Sequence, residues 1–102
     1  MSRDPQVLER VKAILDQISA IAPGYSVELR IPPYAAIQCV EGAKHTRGTP
    51  PAVVEMNAET LFALAKGELS WDNGVNEGFI SASGERSDLS AHFLSIANKI
   101  AS

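Results

Sequence analysis

The sequence has little of what catalytic, metal-binding or disulfide-stapled chains are built from. Among its 102 residues there are one cysteine, one tryptophan and two histidines. A lone Cys39 excludes an intrachain disulfide. Cys39, His45 and His92 lie too far apart to reproduce the paired spacings of a zinc site, so no metal is expected. There is no glycine-rich phosphate loop. The nearest phrase, Gly48-Thr49-Pro50-Pro51, lacks both the lysine and the helix start that such a loop needs. No Gly-x-Ser-x-Gly elbow occurs, and the acidic residues are spread along the chain instead of paired. Neither a cofactor nor a catalytic residue is therefore expected. No apolar run is long enough to cross a bilayer. The start, Met1-Ser2-Arg3-Asp4-Pro5, lacks the apolar stretch of a signal peptide. A cytoplasmic location is the simplest expectation. Basic residues are also short, nine Lys and Arg against twelve Asp and Glu, for a net charge of −3. Without a basic stripe to displace counterions from phosphates, a nucleic-acid partner is not expected.

What is present is an ordinary globular composition, 45% hydrophobic and 21% charged. At this length the chain is read as one domain, residues 1–102, with a single core.

The clearest pattern comes first. Val7, Leu8, Val11, Ile14, Leu15, Ile18, Ile21 and Ala22 recur at helical spacing, with Glu9, Arg10, Asp16 and Gln17 on the other side. Asp4 is placed to cap this helix, Pro5 suits its first turn and Pro23-Gly24 stops it. The period then changes to two. Tyr25, Val27, Leu29 and Ile31 alternate with Ser26, Glu28 and Arg30, which predicts a strand with one polar face. Pro32-Pro33 ends it, and a second strand over Ala35–Glu41 should return as a hairpin. Gly42 to Pro51 reads as a loop and Ala52–Met56 as a third strand. Asn57 caps a helix carrying Ala58, Leu61, Leu64 and Ala65, which Gly67 ends. Ser70 starts a short helical segment through Trp71 and Val75, and Gly78 stops it. Phe79–Ser83 is a fourth strand. Ser87 or Asp88 caps a last helix with Leu89, Phe93, Ile96, Ala97 and Ile100 on its apolar side. Clustered strands and clustered helices give an α+β fold, with helices covering one face of a sheet.

Several of these phrases resemble the sterol-carrier-protein family: the apolar strand from Val53, the capped helix ending in Gly67-Glu68-Leu69, and Gly78-Phe79-Ile80-Ser81-Ala82-Ser83-Gly84 before a terminal helix. Arg30-Ile31-Pro32-Pro33-Tyr34-Ala35-Ala36-Ile37-Gln38-Cys39-Val40-Glu41-Gly42 and His45-Thr46-Arg47-Gly48-Thr49-Pro50-Pro51 resemble a small bacterial branch of it, typically actinobacterial. The resemblance implies a single sheet of four to five strands with helices on one face. It also implies a non-catalytic domain holding a lipid or fatty acyl chain in an apolar pocket between sheet and helices. The alternative it leaves open is a structural or protein-interaction module without a ligand tunnel, forming a homodimer or acting as an accessory to an enzyme. Such domains also occur as non-catalytic parts of larger enzymes, mycothiol-dependent isomerases among them.

Individual residues carry both readings. Leu61, Leu64, Trp71, Val75, Phe79, Phe93 and Ile96 are the candidate ligand-binding set, and equally a plain core. His45, Thr46 and Arg47 lie in the one locally basic loop and are the candidate anion contacts, against the alternative of a solvated connection. Cys39 shares a strand face with Ile37 and reads as a small core residue. His92 reads as a boundary residue of the last helix.

Overall fold

A computed structural model describes residues 4–42, 52–84 and 87–101. The element order is α1 (Pro5–Ile21), β1 (Val27–Ile31), β2 (Ala35–Cys39), β3 (Ala52–Glu55), α2 (Ala58–Lys66), α3 (Trp71–Asn76), β4 (Ser81–Ser83) and α4 (Ser90–Ala101). This is the expected sequence of elements, and the fold is α+β.

The helix boundaries follow from local chemistry. The Asp4 carboxylate accepts the amides of Gln6 and Val7 at the start of α1. The Asn57 side chain accepts the amide of Thr60, and the Ser70 hydroxyl accepts that of Asn73. Each takes up donors that a helix N-terminus leaves without an internal partner. Asp88 accepts the amide of Ser90, the first helical residue of α4. Gly67 ends α2 in the left-handed region at φ +76°, and its amide reaches back to the carbonyls of Ala63 and Leu64.

The sheet order is β2-β1-β3-β4. β1 and β2 form the expected antiparallel hairpin, with Val27 opposite Cys39 and Ile31 opposite Ala35. Its turn holds a cis Pro32-Pro33 peptide and closes with the Tyr34 amide on the Ile31 carbonyl. β3 lies on the other side of β1 and runs parallel to it, Val27 beside Ala52 and Arg30 beside Glu55. β4 is antiparallel to β3. The strand ends that the 40–51 segment joins, Cys39 and Ala52, both flank Val27.

One sheet face is covered and the other is open. Val27, Leu29, Ile31, Cys39 and Val54 are fully buried, while Arg30, Gln38 and Glu55 on the opposite face are exposed. Arg30 pairs there with Glu28 two residues back, as the period of two requires. On the covered side α1 packs on β2, α2 and α4, and α2 packs on α4. Val11, Leu15, Ile18, Leu61, Leu89 and Ile96 fill the space between, so one contiguous core joins the layers. The end of α1 is tied to the end of β2: the Val40 amide donates to the Ala22 carbonyl and the Ser26 amide to the Val40 carbonyl. Gly24 makes this approach possible. Its φ is +145°, and a Cβ there would stand 2.2 Å from the Val40 carbonyl oxygen. Across the helices, the Arg10 guanidinium lies 4.1 Å from the centre of the Phe62 ring, linking α1 to α2.

The strands are shorter than the sequence pattern suggests, β2 ending at Cys39 and β3 at Glu55. β1 begins at Val27, and Tyr25 is 70% exposed. β4 begins at Ser81, after Ile80 has turned inward and Phe79 outward. Among the described residues no helix is long and apolar enough to cross a membrane.

Candidate functional site

α4 carries more apolar surface than one stripe. Leu89, Phe93 and Ile96 face the core and are at most 2% exposed. Phe93 also belongs to a second row, Ser90, Phe93, Leu94 and Ala97, at the i, i+3, i+4, i+7 spacing of one helix face. This second row turns toward α3 and the end of α2 and forms one wall of a cleft of about 330 Å3. Leu64 from α2, Leu69 from the connection and Trp71 from α3 complete its apolar wall with Phe93, Leu94 and Ala97. Ser70, Asp72 and Ser90 are its polar members. The Trp71 and Phe93 rings are offset-stacked at 6.1 Å between centres and 22° between planes, a geometry that aromatic pairs favour.

The cleft is open to solvent. An enclosed apolar void of that size would cost several kcal/mol at about 24 cal/mol per Å3. Water filling a half-open cleft removes most of that penalty, so a domain this small can carry it unoccupied.

The seven candidate lining residues separate into three groups. Leu64, Trp71 and Phe93 come together in the cleft. Leu61 and Ile96 are fully buried between sheet and helices, as core side chains. Val75 is 40% exposed, and Phe79 is 52% exposed. Phe79 sits instead in a groove of about 280 Å3 with Pro32, Glu55, Met56, Asn57 and Ser81. The cleft thus lies among the helices. No strand residue lines it, whereas the sequence reading placed the pocket between sheet and helices. The anion candidates His45, Thr46 and Arg47 lie outside the described residues.

Seven of the lining residues, Gly67, Leu69, Ser70, Asp72, Ser90, Leu94 and Ala97, were not among the candidates from sequence. For Leu94 a signal existed, because it extends the α4 stripe beyond the arc that one contact surface needs. Asp72 and the serines gave none, since polar residues at helix starts are explained by capping alone.

Titration chemistry near the core is unreactive. Burial pushes the Cys39 thiol up from the ordinary 9.0 to about 11, so almost none of it is thiolate at neutral pH. Asp88 is shifted the other way. Its hydrogen bonds to the Ser90 side chain and amide hold its carboxyl below the usual range. His92, half-buried on α4, adds a smaller favourable field. Among the described residues no group of three His, Cys, Asp or Glu side chains converges as metal ligands would.

The family model described as bacterial SCP ortholog matches residues 3–95. The chain belongs to this bacterial sterol-carrier-protein-like family. Among curated proteins the sequence has no match. Residues 3–95 take in α1, the whole sheet, α2, α3 and the first half of α4, and with them every residue lining the cleft except Ala97.

Proposed function

We propose that this domain is a non-catalytic lipid binder that buries an alkyl or acyl chain in the cleft between α2, α3 and α4. The observation that carries the reading is an apolar wall of Leu64, Leu69, Trp71, Phe93, Leu94 and Ala97 around about 330 Å3, in a sterol-carrier-like chain. Such a volume is at the small end for ligand sites, about 300–1,000 Å3. The mechanism is burial. Apolar area leaves water at about 25 cal/mol per Å2, while a polar end stays at the rim with Ser70, Asp72 and Ser90. No bond is made or broken.

Trp71 is the sole tryptophan and lines the cleft, so its emission reports occupancy directly. Native mass spectrometry of the purified protein, with lipid analysis of a solvent extract, should show a stoichiometric aliphatic species. Titration of the stripped protein with single-chain amphiphiles should shift Trp71 emission to saturation. A protein that purifies without lipid and whose mass and emission ignore every amphiphile tried is not a lipid binder.

A second reading, a protein-interaction module, draws on a different place. Phe79 is 52% exposed beside β4, whose three residues are all exposed at the sheet edge. Exposed apolar surface next to an open strand edge suits docking of a second copy or an enzyme. Sedimentation of the wild type and of Phe79→Ser separates the readings, because loss of self-association in the variant would favour this one.

A further inference from the structure

Among the described residues that line the cleft, the charge is one-sided. Asp72 is the only ionisable side chain among the described residues that line it, and no lysine, arginine or histidine joins it. Two more carboxylates stand close by in the chain. Glu68 lies exposed between the lining residues Gly67 and Leu69, and Asp88 holds the amide of the lining residue Ser90. Lys66 and His92 each neighbour a lining residue without lining the cleft themselves. Ser70 already accepts the Asn73 amide, which leaves its hydroxyl hydrogen to turn toward a ligand or toward Asp72.

A ligand chain lying along Leu64, Trp71 and Phe93 ends its polar group at this rim. A carboxylate there would face Asp72 with no cation among the described lining residues to offset the repulsion. An ammonium or a hydroxyl would donate to the Asp72 carboxylate and be attracted by it. Resting on the lipid-binding reading above, we infer that the cleft selects against anionic head groups and takes an amphiphile whose polar end donates hydrogen bonds, an amine in the strongest case.

The test uses three probes of one chain length: decylamine, decanol and decanoate, followed by Trp71 emission at pH 7. By analogy with lysine and glutamate side chains the amine is then protonated and the acid ionised. Two unit charges about 5 Å apart at a half-exposed rim differ enough to separate amine from acid by at least about fivefold in affinity, with decanol between them. Added salt should narrow the spread. Asp72→Asn should bring the amine and acid affinities together and weaken decanol by less than it weakens the amine, and Asp72→Lys should reverse the order. Decanoate binding as tightly as decylamine, or an order that Asp72→Asn does not alter, overturns the inference while leaving a lipid-binding cleft in place. Silence from all three probes removes the cleft reading and this inference together.

Discussion

The helical layer has two flanks made of the same kinds of side chain and finished differently. On one, α1 lays Val11, Leu15 and Ile18 against its neighbours, and each is at most 2% exposed. On the other, α3 meets α4 and leaves Leu94 62% exposed above a cleft. Apolar side chains line both, Val11, Leu15 and Ile18 on the first and Phe93, Leu94 and Ala97 on the second. The helices differ in length. α1 has 17 residues, α4 has 12 and α3 has 6, so at about 1.5 Å per residue they run about 26, 18 and 9 Å. α3 is about half the length of α4, and Leu94 stays exposed beside it.

The comparison breaks most visibly on the sealed side. Leu29 sits at the centre of β1 and is fully buried. Leu29→Ala removes its transfer energy and leaves a hole that close-packed neighbours fill poorly, costing about 2–5 kcal/mol. Against a total of about 5–15 kcal/mol, that should show as a large fall in the urea midpoint. A loss under about 1 kcal/mol would mean that the core is looser than its burial shows.

Next in size is a pH effect from the same side. The Cys39 thiol is raised to about 11 in the folded chain, against 9.0 when unfolded. Between those values the unfolded chain has released the proton and the folded chain still holds it. Stability therefore falls as pH rises from 9 to 11, by an amount of order 2 kcal/mol, and is unaffected below 9. Lysines and tyrosines titrate in the same range, so the measurement is the difference between wild type and Cys39→Ala. The variant should lose less stability over that interval. Parallel curves would show that the thiol is not held out of water.

How much of this contrast was legible in the sequence depends on how local its cause is. The ends of α1 are written in Asp4-Pro5 and Pro23-Gly24, whose backbone chemistry acts within a turn. The β1–β2 hairpin follows from period-two alternation around Pro32-Pro33. The parallel placement of β3 beside β1 is not written locally, because it brings together strands with all of β2 and the 40–51 segment between them. Phe79 shows the limit of pattern reading. Phe79-Ile80 is an apolar pair at a strand entry, and period two sends one inward and one outward without saying which. The structure buries Ile80 at 3% exposure. Of the cleft lining, the sequence pattern makes Leu64, Trp71 and Phe93 candidates and not Leu94, because the second row on α4 shares Phe93 with the core stripe and does not stand apart from it.

A smaller effect probes the joint between the flanks. α2 packs against α1 on one side and α4 on the other, and its first turn depends on the Asn57 side chain taking the Thr60 amide at 2.8 Å. Asn57→Ala should cost about 1 kcal/mol, and Asn57→Asp should recover most of it. Equal losses in the two variants would show that the side-chain acceptor is not what starts this helix.

The smallest stability change should come with the largest functional one. Leu94 is mostly exposed, so Leu94→Ser removes little burial and should move the unfolding midpoint by no more than about 0.5 kcal/mol. The same side chain forms part of the cleft wall and would be buried by an aliphatic ligand. Fully burying a leucine contributes about 1.5–3 kcal/mol, and even half of that is a several-fold change in affinity. Decanol titrations should therefore weaken several-fold in a protein whose denaturation curve is unchanged. Leu29→Ala should do the reverse, lowering stability while leaving affinity per folded molecule intact. The crossed pattern is what distinguishes a binding wall from a core that happens to be visible. If Leu94→Ser instead destabilised the fold and left decanol affinity alone, the second row on α4 would be part of the packing and the cleft would have no claim to a ligand.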